Sequence, residues 1–206
     1  MTPPSRRAVA AAALATLLAG CGGRAEDRAT PAARGSERGG TPASTGAGAA
    51  PRPLARSVPV RLLIPAIGVD TPLLQLGLAA DRSVQVPPVT AHDRAGWYRH
   101  SPTPGQVGPS IVLGHVTVGA YGDGVFRHLA RLRPGETITA RLANGARPEF
   151  AVTRVRTVAK AKFPADEVYG DVDRPELRLI TCGGPHTGDG YQDNVIVFAA
   201  LTGTAP

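Results

Sequence analysis

The chain has 206 residues, a formal net charge of +7 and arginine in large excess over lysine, but only one Trp, four Phe, four Tyr and two Cys. The basic balance has no basic helix or aromatic-interleaved basic stretch beneath it, which excludes an ordinary nucleic-acid-binding face. Two cysteines exclude a disulfide framework, and no apolar run reaches the roughly 20 residues that a membrane-spanning helix needs.

In MTPPSRRAVAAAALATLLAGC, Arg6 and Arg7 precede thirteen uncharged residues, Ala8 to Gly20. This is the pattern of a signal peptide's apolar region. Leu18-Ala19-Gly20-Cys21 resembles a bacterial lipobox, so Cys21 is expected to carry a diacylglyceryl group and to form the mature N-terminus, with residues 1–20 removed. An uncleaved signal anchor is the alternative. Two acyl chains hold a protein on a membrane stably where one holds it marginally. Residues 21–57 are rich in Gly, Ala, Pro, Ser and Thr, with no aromatic residue. Such a segment cannot bury enough apolar surface to offset its ordering entropy, so a disordered tether is expected there.

From residue 58 to 203 short apolar runs recur between Pro- and Gly-rich turns, which predicts one mainly β domain. The expected strands are Val60 to Ile67, Val69 to Leu78, Ser83 to Val86, Ser110 to Val118, Thr137 to Leu142, Glu149 to Thr157, Leu177 to Thr181 and Asn194 to Leu201. In VFRHLARL, Phe126, Leu129 and Leu132 share one face and predict a helix that RPG ends. The absence of long βαβ crossovers favours a closed antiparallel barrel over a parallel α/β sheet.

Two residues stand out for chemistry. In ELRLITCGG, Leu177, Leu179 and Thr181 alternate with Arg178, Ile180 and Cys182, so an unpaired thiol sits where a strand stops. A free cysteine outside the cytoplasm needs a reason, although such a residue also serves as a small buried apolar group. In IVLGHVTV, His115 interrupts a second apolar run, and imidazole exchanges protons near neutrality. His92, His100, His128 and His186 fall in polar stretches, the expected helix or loops. None forms a zinc pattern with the cysteines, so no metal and no cofactor are expected.

The order IPAIGVDTPLLQLGL, QVPP, AGWYRHSPTPGQVGPSIVLGHV, VFRHLARLRPGE, FPADEVYG, LRLITCGG and DNVIVFAAL resembles the class F sortases of high-GC Gram-positive bacteria. LITC matches the last part of the sortase T-L-x-T-C element, with Arg178 in place of its first threonine, and GHV matches the element carrying the sortase histidine. The resemblance implies an eight-stranded β-barrel with one or two short helices. It also implies cysteine transpeptidation of a C-terminal LPXTG-like signal, with Cys182 as nucleophile and His115 as its acid/base partner. The partners so implied are sorting-signal-bearing secreted proteins and a peptidoglycan precursor or other amine acceptor. The enzyme is expected as a monomer on the extracytoplasmic face of the membrane, facing the wall.

The third sortase position, an arginine after the cysteine loop, is not matched. Asn194 falls in its approximate slot in GYQDNVIVFAAL, and Arg178 is expected on the face of Cys182 as a cationic substitute. An amide can donate to an oxyanion, while Asn194 and Asp193 are also common turn formers. Two other functions stay open on the same barrel: a cysteine peptidase that releases its product to water, and a non-catalytic wall-binding lipoprotein.

Overall fold

A computed structural model describes residues 51–188 and 190–205. The signal segment, Cys21 and the tether up to residue 50 lie outside them. Eight strands close into a barrel: β1 (Pro59–Ile64), β2 (Val69–Leu76), β3 (Ala95–Tyr98), β4 (Gly108–Leu113), β7 (Thr137–Leu142), β8 (Arg147–Ala159), β9 (Pro175–Thr187) and β10 (Gly190–Ala205). Two short strands, β5 (Thr117–Val118) and β6 (Gly122–Asp123), form a separate ladder. The order around the barrel is β1-β2-β3-β4-β9-β10-β8-β7.

The expected antiparallel barrel is in fact mixed, because β2 pairs with β3 and β4 pairs with β9 in parallel. Both parallel pairs are joined by crossovers, residues 77–94 in the first case and β5 through β8 in the second. The expected strand Ser83 to Val86 reduces to a single bridge, Leu78 to Val84, inside the first crossover. β3 had no expected counterpart. Ser110 to Val118 divides at Gly114 into β4 and β5. The expected helix at Phe126 to Leu132 is only a 3-10 turn, Leu129–Arg131. Phe126, Leu129 and Leu132 are all buried at a spacing of three, which suits three residues per turn better than 3.6. The one α-helix among the described residues is α1, Ala165–Tyr169, in the β8–β9 connection.

The barrel has two apolar layers. Leu177 and Leu179 point inward with Val195, Val197, Trp97, Phe126 and Phe150. Ile180 points outward with Ile111, Leu113, Ile196 and Phe198, beneath Val168 of α1. This second cover explains why β9 is buried at every position from Pro175 to Thr181, although its sequence alternates only in part. Helix α1 is fastened to the barrel by Glu167, whose carboxylate accepts from Arg154 and Arg156 of β8. Residues 51–57 take no regular structure, yet Leu54 N–H donates to Gly105 O at 2.8 Å and the Arg56 guanidinium lies 5.6 Å from the Trp97 ring. The last part of the expected tether therefore runs along the barrel.

Candidate active site

Cys182 is the first residue of β9 to emerge from under the outer apolar layer, and it is half-buried. In the β9–β10 register it stands directly opposite Asn194, also half-buried, and residues directly opposite share a face of the sheet. On the other side, β4 pairs with β9 through Leu113 and Ile180, and Gly114 N–H donates to Ile180 O at 3.1 Å. Two residues beyond Leu113 and Ile180 along this row come His115 and Cys182. Neighbouring strands are about 4.8 Å apart, so the thiol has the histidine-bearing strand end on one flank and Asn194 on the other.

The imidazole is held by the loop that crosses from β2 to β3. His115 Nε2 lies 2.7 Å from the carbonyl oxygen of Pro87, which is buried. A carbonyl only accepts, so Nε2 carries the proton and Nδ1 is the nitrogen left for proton exchange. The backbone around His115 is equally fixed: Phe126 N–H donates to His115 O at 2.9 Å, and a Cβ on Gly124 would stand 2.3 Å from that oxygen. The QVPP segment carries this orienting carbonyl. Nothing in the sequence assigns it a partner, because the contact spans 28 residues.

Gly184, two residues past the thiol, has φ +72°, and a Cβ there would lie 2.1 Å from Asp193 Oδ2. Glycine is required for that turn. Just beyond it the ladder shifts register between Tyr191 and Asp193. Tyr191 joins its hydroxyl to Thr117 Oγ1 at 2.6 Å and meets the His186 ring edge-on at 4.8 Å between centroids. This links the end of β9 and the start of β10, just past the cysteine, to β5, just past the histidine. Gln192 is exposed and donates to Thr187 Oγ1 at 2.8 Å.

Arg178 does share the outward face of Cys182, as alternation requires, but it lies four residues away, about 13 Å along a strand. It is 3% exposed, pairs with Glu176 and stacks its guanidinium 4.6 Å from the Phe198 ring centre. Glu176 is itself buried and also receives Arg174 Nε at 2.6 Å. The structure thus engages Arg178 away from the thiol and brings Cys182, Asn194 and the His115 strand end together. Tyr191 and the Pro87 carbonyl join the site from outside the sequence reading.

A sortase-domain family model matches residues 62–202. No curated protein sequence matches the chain. Among solved structures, the chain is similar to the SrtA sortase of Actinomyces oris, with 23% identity, TM-score 0.52, and coverage of 77% of this chain and 87% of that one. It is also similar to a sortase D5 transpeptidase of Clostridium perfringens, with 22% identity, TM-score 0.52, and coverage of 70% and 79%. Sortase A of Corynebacterium diphtheriae in a lid-mutant form gives 17% identity, TM-score 0.55, and coverage of 74% of each chain. At these identities the structures speak for the barrel, and the family model, spanning β1 to β10, speaks for descent: the chain belongs to the sortase family of cysteine transpeptidases.

Proposed function

We propose that the chain is a class F sortase that cuts an LPXTG-like C-terminal sorting signal through a thioester on Cys182 and passes the acyl group to an amine of the cell wall. The observation that carries this reading is the single row made by the end of β4, Cys182 and Asn194 on the outer face of the barrel. The Cys182 thiolate attacks the scissile carbonyl, the Asn194 amide donates to the oxyanion, and His115 gives a proton to the departing amine. An incoming amine, deprotonated by His115, then breaks the thioester and forms the new amide. Arg178 holds the fold of the outer face in this scheme and takes no part in the chemistry. Cys21 is the lipid attachment point, and the segment to residue 50 carries the barrel toward the wall.

The test is intact-mass measurement of the full chain mixed with a panel of LPXTG-like peptides. The expected result is an acyl adduct on the parent protein that disappears in Cys182→Ala and is strongly reduced in His115→Ala. An adduct of equal yield on Cys182→Ala refutes the assignment. Product analysis with and without an added amine separates transfer from hydrolysis.

A further inference from the structure

Among the described residues, two hydrogen bonds join the segment that carries His115, residues 114–118, to the segment that carries Cys182, residues 180–192. The first is Gly114 N–H to Ile180 O at 3.1 Å, where the pairing of β4 with β9 ends. The second joins the Tyr191 hydroxyl to Thr117 Oγ1 at 2.6 Å, and both side chains are half-buried. His115 follows the first tie and precedes the second. Cys182 does the same along β9, since Tyr191 pairs with His186. A cavity of about 320 Å³ is lined by Val116 on the histidine side and by Cys182, Gly183, Gly184 and Tyr191 on the cysteine side, so close packing does not fix the spacing here. The position of Tyr191 comes from a bulge. Gly183 pairs with Asp193 and His186 with Tyr191, so Gly184 and Pro185 stand opposite Gln192 alone. A bulge of this kind bends the strand and re-aims its side chains, and here it uses the left-handed backbone of Gly184. The His186 ring backs Tyr191 edge-on.

We propose that Tyr191 is a positioning residue for the acyl transfer: its bond to Thr117 sets how closely the His115 imidazole approaches the Cys182 sulfur. The proposal rests on the thioester reading above. The Pro87 carbonyl fixes the direction of the ring through Nε2, but it belongs to the β2–β3 crossover and leaves the distance to β9 open. That distance depends on how closely the chain beyond β4 follows β9. Past Gly114 the Tyr191 hydroxyl is the hydrogen bond that holds the two together among the described residues. Misplacing a reacting group by about 1 Å costs about a hundredfold in rate, so a single tie at this point carries weight out of proportion to its share of stability. Tyr191 acts in this role through Thr117 and the backbone of residues 115–117, not on the peptide itself. Phenylalanine at 191 keeps the ring against His186 and removes the tie alone.

The test measures single-turnover acylation of the full chain by an LPXTG-like reporter peptide over a range of peptide concentrations, in Tyr191→Phe, Thr117→Val, the double variant and Thr117→Ser. The rate at saturating peptide is expected to fall about tenfold in Tyr191→Phe and in Thr117→Val, with the half-saturating concentration within about twofold of the parent. The double variant should be no slower than either single one, because both substitutions remove the same bond. Thr117→Ser keeps the hydroxyl and should act within about twofold of the parent rate. An unchanged final yield of acyl-enzyme, with an unfolding temperature within about 4 °C of the parent, is expected of every variant, as the loss of one half-buried hydrogen bond requires. A folded Tyr191→Phe at the parent's rate, or losses that multiply in the double variant, overturns the proposal. So does a rise in half-saturating concentration in Tyr191→Phe that Thr117→Val does not share, since it would place the tyrosine on the peptide. In each of these cases the thioester stands. A parent protein that forms no acyl-enzyme overturns the thioester reading, and the role of Tyr191 with it.

Discussion

Replacing Arg178 by methionine separates a structural arginine from a catalytic one. The side chain is 3% exposed and Glu176 is 7% exposed, so the substitution leaves a carboxylate in a desolvated position with one partner fewer. Breaking a buried pair from one side costs about 3–5 kcal/mol. Here Glu176 retains Arg174, which is 66% exposed, and methionine fills the space over Phe198, so the low end, about 3 kcal/mol, applies. For a domain of this size each kcal/mol lowers the unfolding temperature by about 2–4 °C, which gives a fall of about 6–12 °C. The assay pairs thermal unfolding followed by circular dichroism with the rate of acyl-enzyme formation at a temperature where the variant is folded. The acylation rate is expected to stay within about threefold of the parent. Removing both charges, in Arg178→Met with Glu176→Gln, should recover much of the lost stability. An unfolding temperature within 2 °C of the parent refutes the buried-pair argument, and a hundredfold loss of acylation in the folded variant places Arg178 in the chemistry.

Asn194→Ala should lower acylation by about 10²–10³-fold, the usual effect of deleting one oxyanion donor, with an unchanged unfolding temperature; stopped-flow acylation with a reporter peptide decides it. Glu167 supplies a pH prediction. Burial raises its pKa, but hydrogen bonding and charge from Arg154, together with Arg156, outweigh burial and hold the carboxyl below the ordinary glutamate value of 4.5. The folded-state pKa being depressed, the α1 anchor contributes fully above the unfolded value and is lost as pH falls through the folded one. The unfolding temperature should therefore fall faster below about pH 4.5 in the parent than in Glu167→Gln; parallel curves for the two proteins count against the anchor.

The fold class and the two candidate residues, Cys182 and His115, were legible in the sequence because they rest on local signals. Alternation in ELRLITCGG marks a strand that carries a thiol, although β9 runs on past Cys182 to Thr187 instead of stopping there, and the interrupted apolar run marks His115. The conflict at Phe126 to Leu132 arose because a spacing of three satisfies both a helix face and a 3-10 turn, and burial of all three side chains against the barrel end chose the turn. β3 went unnoticed because four residues, AGWY, carry too short a pattern, and the strand exists only because β2 and β4 flank it.

The primary sequence by itself determined which residues carry reactive groups and which face of its own strand each occupies, since side-chain direction alternates with a period of two. Tertiary structure alone decided which strands are neighbours. The parallel pairing of β4 with β9 leads His115 toward Cys182, and the antiparallel register with β10 sets Asn194 opposite the thiol. It also decided that Arg178 is spent on Glu176 under Phe198, and that the Pro87 carbonyl turns the imidazole. These contacts join segments far apart along the chain, and their geometry follows from closing the barrel, a condition that no short stretch of residues encodes.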